Sequence, residues 1–300
     1  MSISKMSKYD IGESVFNTLN IIVMVLVFIG SAYPLYYCIM LSFNDGLDTQ
    51  NGMLYLIPRM FTLDNYVAVF KSKYLINAYF VTIARTVIGT SLSVFLGAMM
   101  GYALTKKELK FRRLYITIGI ITMYFYGGII PLYLLINQIG LIDKFAVYIL
   151  VCLYSFFNIM VFMSFFKSIS PSLMESAKID GANEFVIFMK IILPVSAPVL
   201  ATIALFNGVY HWNSWIEAFL FTSKPELKTL PIILMEMINK SLADQLAMSS
   251  GKMTMAEHIG ITGNSVRLAA MTVAIVPIMA IYPFMQKYFA KGLMLGSVKE

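Results

Sequence analysis

The stretch Ser172–Pro194, with the sequence SLMESAKIDGANEFVIFMKIILP, is polar and interrupted by a glycine, whereas the sequence on either side of it is almost uniformly apolar. Just before it, Ser170 and Pro171 predict a helix start, because serine caps free amides and proline fits the first helical position. Gly181 predicts the end of that helix, since glycine readily adopts the left-handed backbone. A second short helix is expected to begin near Asn183. The stretch therefore predicts a helix, a glycine bend and a second helix between two apolar segments.

The composition predicts a membrane protein. Of the 300 residues, 59% are hydrophobic and only 13% are charged, against roughly 25% charged in an ordinary soluble domain. The formal net charge of +7 comes from basic residues at the ends of apolar segments, which fits membrane topology better than nucleic-acid binding. Cys38 and Cys152 lie inside apolar runs and suggest neither a disulfide framework nor a metal site.

Hydropathy at the length of about 20 residues that a spanning helix requires predicts six membrane spans. The predicted fold is therefore an all-α polytopic membrane protein with six transmembrane helices. The expected spans are Ile21–Phe43, Leu75–Leu104, Leu114–Ile136, Phe145–Phe166, Val195–Phe221 and Leu268–Tyr288.

Counting lysine and arginine in alternate loops predicts the orientation. One side of the membrane carries 13 of these residues and the other carries 9, spread over longer loops. The denser side is expected to be cytoplasmic, with both termini on it. The predicted organisation is a cytoplasmic N-terminal segment (1–20), a transmembrane domain (21–288) with a cytoplasmic loop (170–194) and an extracytoplasmic loop (222–267), and a cytoplasmic tail (289–300).

The first helix of loop 170–194 is amphipathic. Leu173, Met174 and Ala177 form a narrow apolar stripe, so the helix could lie in lipid headgroups or dock in a groove of a soluble partner. A plain connecting loop is the third alternative. The residues by themselves leave these three open.

The spacing within the loop resembles a known motif, the EAA loop of ATP-binding-cassette importer permeases. Glu175-Ser176-Ala177, Gly181, Ile191 and Leu193-Pro194 match its fixed positions, with Ser176 in place of the commonest alanine. The chain is also similar to the second permease of carbohydrate importers, relatives of the smaller maltose-importer permease, and most of all to the subgroup for complex oligosaccharides. The stretches that carry this similarity are Phe61–Tyr66, Gly127–Pro131 and Gln286–Gly292.

The resemblance implies a type I importer permease in a bacterial cytoplasmic membrane. It implies a second, different permease, two ATPase subunits that bind ATP and magnesium, an extracytoplasmic solute-binding protein and an oligosaccharide substrate. Loop 170–194, here called the coupling loop, would enter a cleft on the ATPase, with Glu175 as anchor, Ala177 for close packing and Gly181 for the bend. Gly296 and Ser297 in the tail would be a second contact. The residues expected to couple to the ATPase are Glu175, Ser176, Ala177, Asp180, Gly181, Leu193 and Pro194.

The chain itself is expected to bind no cofactor and to catalyse no reaction. Gly251-Lys252-Met253 lacks the upstream glycine and the hydroxyl of a nucleotide-binding P-loop. An integral-membrane enzyme would need a nucleophile and base or clustered metal ligands, but the two histidines, His211 and His258, are far apart in sequence. A proton-coupled transporter would need several ionisable residues in its spans.

Two charged residues, Arg85 and Glu217, lie within or near the predicted spans. Each is a candidate functional group, or else lies near an interface with its charge directed to water. Aromatic residues near Glu217 suit the face of a sugar, but they suit the interfacial aromatic belt at least as well. The candidates for the substrate pathway are Tyr124, Tyr126, Tyr210, Trp212, Asn213, Trp215 and Glu217.

Overall fold

The structure, a computed structural model, describes residues 8–50, 52, 56–249 and 262–297. Parts of three predicted segments lie outside these residues, namely 1–7 of the N-terminal segment, 250–261 of the extracytoplasmic loop and 298–300 of the tail. The described chain is helical apart from loops and one isolated antiparallel bridge, between Asn44 and Phe61. Its α-helices are α1 (Lys8–Ser42), α2 (Gly46–Gln50), α3 (Asp64–Lys71), α4 (Lys73–Thr105), α5 (Arg112–Tyr124), α6 (Ile129–Gln138), α7 (Ala146–Leu150), α8 (Phe156–Ser168), α9 (Pro171–Ile179), α10 (Glu184–Ile187), α11 (Leu193–Val195), α12 (Ala197–Asn213), α13 (Ile216–Phe221), α14 (Leu230–Ser249) and α15 (Gly263–Ser297), with a π-helix at Phe188–Ile192 and a 3₁₀ turn at Pro225–Leu227.

Three helices are long and apolar enough to cross a membrane unaided. They are α1, α4 and α15, and they confirm spans one, two and six as single helices. Three bent helix pairs pass the same test together: α5 with α6, α8 with α9, and α10–α11 with α12. The described residues therefore hold up to six spans by length and composition.

The prediction of a continuous third span, Leu114–Ile136, is wrong. The chain breaks between Tyr124 and Ile129, and α5 and α6 meet at an angle of 117°. Gly128 causes the break, because its φ of +91° is incompatible with a right-handed helix and unfavourable for residues with a Cβ atom. A hydropathy window averages over such a glycine and does not detect it.

Spans four and five are interrupted as well. In span four, α7 ends at Leu150 and α8 begins at Phe156, where the hydroxyl of Ser155 accepts the amide of Asn158 at 3.4 Å as an N-cap. In span five, α12 ends at Asn213 and α13 begins at Ile216. The first break lies in largely apolar sequence, whereas the second lies in the stretch 211–217, which contains histidine, asparagine, serine and glutamate.

The predicted extracytoplasmic loop 222–267 is largely helical where it is described. Helix α14 occupies Leu230–Ser249, and Leu230, Ile232 and Ile233 at its start are buried. The amide of Leu230 donates to the hydroxyl of Thr82 on α4 at 2.8 Å. The start of α14 is thus packed against α4 rather than free in solvent.

The chain divides into two compact units. One contains residues 8–71 and the described part of 241–272. In this unit Asn65 donates to the carbonyls of Ser42 and Asn44 at 3.0 and 2.9 Å, and Phe43 stacks on Phe61. The stretch Phe61–Tyr66 therefore folds back on the end of α1 and satisfies its free carbonyls.

The second unit contains residues 72–240 and 273–297. Its core joins α4, α8 and α12 with the coupling loop through Ala98, Phe162, Phe166, Phe188 and Ile203. Small residues of α4 bring α8 close, since a Cβ atom on Gly101 would lie 2.8 Å from the Cβ atom of Phe162. Close packing on small residues is the usual basis of helix association in a membrane, so this core places the coupling loop against α4.

Candidate functional site: the coupling loop and a buried ion pair

The first half of the coupling loop has the predicted ends. Helix α9 has Ser170 at its N-cap and Pro171 as its first residue, but the hydroxyl of Ser170 caps no amide and is hydrogen-bonded to that of Ser172 at 2.8 Å. At its other end Gly181 has a φ of +80°, the amide of Ala182 donates to the carbonyl of Ala177 at 2.9 Å, and that of Gly181 donates to the carbonyl of Lys178 at 3.0 Å. These two bonds form a Schellman motif, which satisfies the last carbonyls of the helix. The glycine bend is therefore a defined turn.

The second half of the loop continues almost directly into span five. The side chain of Asn183 accepts the amide of Val186 at 2.9 Å and caps α10, which begins as predicted beside Asn183. A π-helix at Phe188–Ile192 and the short helix α11, with Pro194, follow. The chain then bends by 81° into α12. π-helices are rare in proteins, and those that occur are often found at functional sites. The junction between the coupling loop and α12 is therefore part of the candidate functional site.

Only two of the three residues in the apolar stripe predicted for α9 face the core of the protein. Met174 and Ala177 pack inward against the core that contains Phe188, whereas Leu173 is exposed. The close packing expected of Ala177 is therefore made inside the chain. The outward face is formed by Glu175, Ser176, Ile179 and Asp180 together with Leu173.

The most exposed large apolar side chain of the protein's described residues is Ile179, at 86%. It stands beside the polar Ser176 and Asp180 at the tip of α9. An isoleucine in this position is poorly suited to water and suits insertion into a partner's cleft. In the second half of the loop, Leu193 packs partly against the core and Pro194 is exposed.

Sequence reasoning missed Glu184, which lies where the coupling loop meets α4. Its carboxylate contacts Lys106 at 2.7 Å and Lys178 at 2.8 Å and accepts the hydroxyl of Tyr102 at 2.6 Å. Burial raises the pKa of Glu184, but these hydrogen bonds outweigh it and lower the pKa from 4.5 to about 2. The Asn-Glu pair directly after the bend was the available signal, because an acid in the first turn of a helix is stabilised there.

Arg85 and Glu217 form a buried ion pair. Arg85 Nη2 lies 2.7 Å from Glu217 Oε2, and both side chains are almost completely buried. Arg85 Nη1 also donates to the carbonyl of Ser214 at 2.9 Å, and the guanidinium lies 4.9 Å from the ring centroid of Tyr148. The two candidate charges are thus paired with each other, and the alternative in which either is directed to water is wrong.

The same carboxylate organises the break between α12 and α13. Ser214 donates its hydroxyl to Glu217 Oε2, and Tyr210 donates to Glu217 Oε1 at 2.8 Å. Both oxygens of Glu217 are therefore occupied by partners within the chain. This arrangement explains Glu217 as a structural anchor, and its role in the substrate pathway stays a prediction.

The other aromatic candidates of span five differ in their surroundings. Trp212 is buried, with its indole Nε1 donating to the carbonyl of Ala274 at 3.1 Å and its ring edge-on to Tyr79. Tyr210 is half exposed, and Trp215 is partly exposed and contacts Phe219. The exposed Asn213 donates to the carbonyl of Val209 at 2.9 Å. Among these residues Tyr210, Asn213 and Trp215 are accessible and Trp212 is not.

Tyr124 is the last residue of α5, and Tyr126 lies in the break between α5 and α6. They are 78% and 72% exposed, and Phe125 between them is equally open. Three neighbouring exposed aromatic rings at a helix break suit a sugar face or a partner subunit. Gly296 and Ser297, the candidates in the tail, fall in the last turn of α15, whose side chains lie outside the described part.

Known proteins are similar to this chain over most of its length. The family model described as "Binding-protein-dependent transport system inner membrane component" matches residues 11–294. The polygalacturonan/rhamnogalacturonan transport system permease protein YtcP of Bacillus subtilis (strain 168) is 36% identical over 266 residues, 89% of this chain and 92% of that protein. Protein LplC of the same organism is 35% identical over 285 residues, 95% of each chain.

A solved structure has the same fold. It is the crystal structure of a bacterial ABC transporter involved in the import of the acidic polysaccharide alginate, matched with a TM-score of 0.83 and 28% identity over 95% of this chain and 99% of that chain. The predicted all-α, type I importer permease fold is confirmed. The chain belongs to the family of binding-protein-dependent transport system inner membrane components and is a membrane-embedded permease subunit of an ATP-binding-cassette importer, a transport subunit rather than an enzyme.

Proposed function

We propose that this permease forms half of the pathway of a heterodimeric importer in the bacterial cytoplasmic membrane, with two ATPase subunits bound at its coupling loop. The observation that carries the proposal is the geometry of that loop. Helix α9 ends in a Schellman turn and presents an exposed Ile179 among polar residues, while its inner face is packed against the protein's own core. Such a rigid, outward-facing helix is suited to enter a cleft.

The orientation follows from the same assignment. ATP is cytoplasmic, so a loop that contacts the ATPase must be cytoplasmic too, which agrees with the greater number of lysine and arginine residues on that side. Both termini would then be cytoplasmic. ATP and magnesium would bind to the ATPase subunits, and a solute-binding protein would deliver substrate from the outside.

The proposed substrate is an oligosaccharide released from an acidic polysaccharide. Support comes from two relatives, a permease named for polygalacturonan and rhamnogalacturonan and a transporter involved in alginate import. Galacturonan and alginate are both polymers of uronic acids. A substrate of the same class therefore fits this chain better than a neutral sugar.

A cysteine cross-link tests the contact with the ATPase. After Cys38 and Cys152 are replaced by serine, Ser176→Cys is combined with single cysteines along the ATPase cleft in the purified complex. We expect cross-linking that changes between the nucleotide-free and ATP-bound states. Ala177→Cys is the matched control, because this neighbouring side chain packs inward and should cross-link much less. A folded, co-purified complex without any cross-link at position 176 would contradict the docking assignment.

Uptake into proteoliposomes tests the substrate. The complex, isolated through a tag on this chain and supplied with its binding protein, is expected to import trigalacturonate only when ATP is available to the ATPase. Arabinotriose is the neutral control of equal length. Equal uptake of both sugars would refute the acidic substrate class, and uptake without ATP would refute the importer assignment.

A further inference from the structure

Glu184 divides its two carboxylate oxygens between two different structural elements. Oε2 lies 2.7 Å from Lys106 Nζ and 2.6 Å from the hydroxyl of Tyr102, both at the end of α4. Oε1 lies 2.8 Å from Lys178 Nζ on α9. One carboxylate at the start of α10 thus joins span two to both helices of the coupling loop.

Aromatic contacts reinforce the connection to span two. Tyr102 stacks on Phe188, the first residue of the π-helix, with ring centroids 5.5 Å apart. Lys106 Nζ lies 4.3 Å from the centroid of the Tyr102 ring, within the range of a cation–π interaction. The hydroxyl, ring and ammonium groups at the end of α4 all contact the coupling loop next to its bend.

The backbone of the coupling loop continues into span five and not into span two. After α11 the chain continues into α12 through the 81° bend, so the backbone alone transmits a displacement of the loop to span five. Span two is separated from the loop by more than sixty residues of sequence. Any movement of α4 together with the loop therefore depends on side-chain contacts.

We propose that Tyr102 and Lys106 are positioning residues that fasten the coupling loop to span two through Glu184, so that ATP-driven displacement of the loop moves α4 together with α12. This inference rests on the proposed contact of the loop with the ATPase. It adds a second helix, α4, that moves when the ATPase displaces the loop. The side chains that connect α4 to the loop are those of Tyr102, Lys106 and Glu184, all outside the EAA-like positions. In this scheme Lys178 stabilises the bend but transmits nothing to α4.

Because the two oxygens of Glu184 pair with different lysines, two matched variants can remove one ion pair at a time. Lys106→Gln removes the ion pair to α4, and Lys178→Gln removes the ion pair within the loop. In the reconstituted complex we expect Lys106→Gln to raise the ATP hydrolysed per oligosaccharide imported by about two- to fivefold, the shift that a partly exposed ion pair can produce. Lys178→Gln should have a smaller effect. Lys110→Gln, an exposed lysine in the same loop as Lys106, is the control for general loss of positive charge.

Charge exchange separates a direct pairing from a general loss of folding. Lys106→Glu places a second acid beside Glu184 and should couple worse than Lys106→Gln. A lysine at position 184 would repel Lys178, so the exchange is made in the Lys178→Gln background. There the double variant Lys106→Glu with Glu184→Lys restores opposite charges and should recover most of the coupling. Failure of the double variant to recover, in a complex of normal yield, would overturn direct pairing as the basis of the effect.

A distance measurement tests the movement itself. Spin labels at Lys107, next to the end of α4, and at the exposed Phe185 of α10 report the separation of span two and the loop. In the otherwise native complex we expect the same distance with and without ATP, and in Lys106→Gln a distance that changes with ATP. A change of distance in the native complex, or an unchanged distance together with normal coupling in Lys106→Gln, would overturn the inference. Absence of ATP-dependent uptake by the native complex would instead overturn the proposed function.

Discussion

Two carboxylates of this permease, Glu217 and Glu184, have the same kinds of partner in different surroundings. Glu217 contacts Arg85 of α4 and accepts the hydroxyl of Tyr210. Glu184 contacts Lys106, directly after the end of α4, and accepts the hydroxyl of Tyr102. The side chains of Arg85 and Glu217 are 0% and 4% exposed. Those of Lys106 and Glu184 are 21% and 49% exposed.

Because they differ in burial, the two ion pairs have different roles. A buried pair cannot separate without leaving a charge unsolvated, so it fixes a single arrangement. A partly exposed lysine–carboxylate pair can exchange partners with water at small cost. The buried pair therefore anchors the break between α12 and α13, while the partly exposed pair is a weaker contact that joins the coupling loop to α4.

The largest expected effect comes from breaking the buried pair. Arg85→Met leaves Glu217 charged, buried and without its cation, and should cost about 3–5 kcal/mol of stability. We expect a marked loss of folded protein and a lower midpoint of thermal unfolding in detergent. The measurement is the fraction of monodisperse protein after heating, compared between the variant and the native chain.

The matched control for that prediction removes both charges. In Arg85→Met with Glu217→Met the buried charge is gone, and an apolar replacement of an ion pair is often nearly neutral. The double variant should therefore be more stable than the single one. If Arg85→Met were as stable as the native protein, the pair would not anchor the break.

The next effect concerns the bend of the coupling loop at Gly181. Gly181→Leu puts a branched side chain at a φ of +80°, which costs roughly 1–2 kcal/mol in a left-handed conformation. We expect the protein to insert normally but to hydrolyse more ATP per sugar imported. Gly181→Asn is the control, because asparagine tolerates this conformation and a Cβ atom here meets no neighbour within 4 Å. Normal coupling in Gly181→Leu would contradict the role of the bend.

The sequence predicted the features whose causes are local. The start of α9 at Ser170-Pro171, its end at Gly181 and the cap at Asn183 depend on residues within a few positions of one another, and all three are observed. The long apolar helices α1, α4 and α15 were predictable for the same reason. The spacing within one loop also identified the family, together with the place of that loop between spans four and five and with three further stretches.

The features that sequence reasoning missed depend on distant residues or on a single position within an apolar run. Arg85 and Glu217 were each conspicuous, but they are 132 positions apart, and nothing in the local sequence pairs them. The break at Gly128 is hidden by the apolar residues on both sides. The inward direction of Ala177 follows from the core that α4 and α8 form, which lies outside the loop itself.

A smaller effect is expected from salt, and it should separate the two pairs directly. Raising KCl from about 0.1 M to about 1 M shortens the Debye length from about 10 Å to about 3 Å. The exposed contacts of Glu184 should weaken, and the ATP used per sugar should rise by about twofold or less. Salt should screen the buried pair of Arg85 and Glu217 very little, so that pair should not lower the midpoint of thermal unfolding at high KCl. A rise of the same size in Lys106→Gln would show that the salt effect arises elsewhere.

The smallest expected effect is that of pH, and it follows from the lowered pKa of Glu184. A carboxyl group whose pKa is lower in the folded than in the unfolded state stabilises the fold above its ordinary pKa, 4.5, and loses that contribution as the pH falls toward about 2. Coupling by the Glu184 contacts should therefore be constant between about pH 5.5 and pH 8, since the carboxylate stays charged throughout. The measurement is the ATP hydrolysed per oligosaccharide across this range, with Glu184→Gln as the reference that has no titrating group. A pH dependence present in the native complex and absent from Glu184→Gln would mean that the carboxylate titrates there, and that its partners hold it less tightly than their distances indicate.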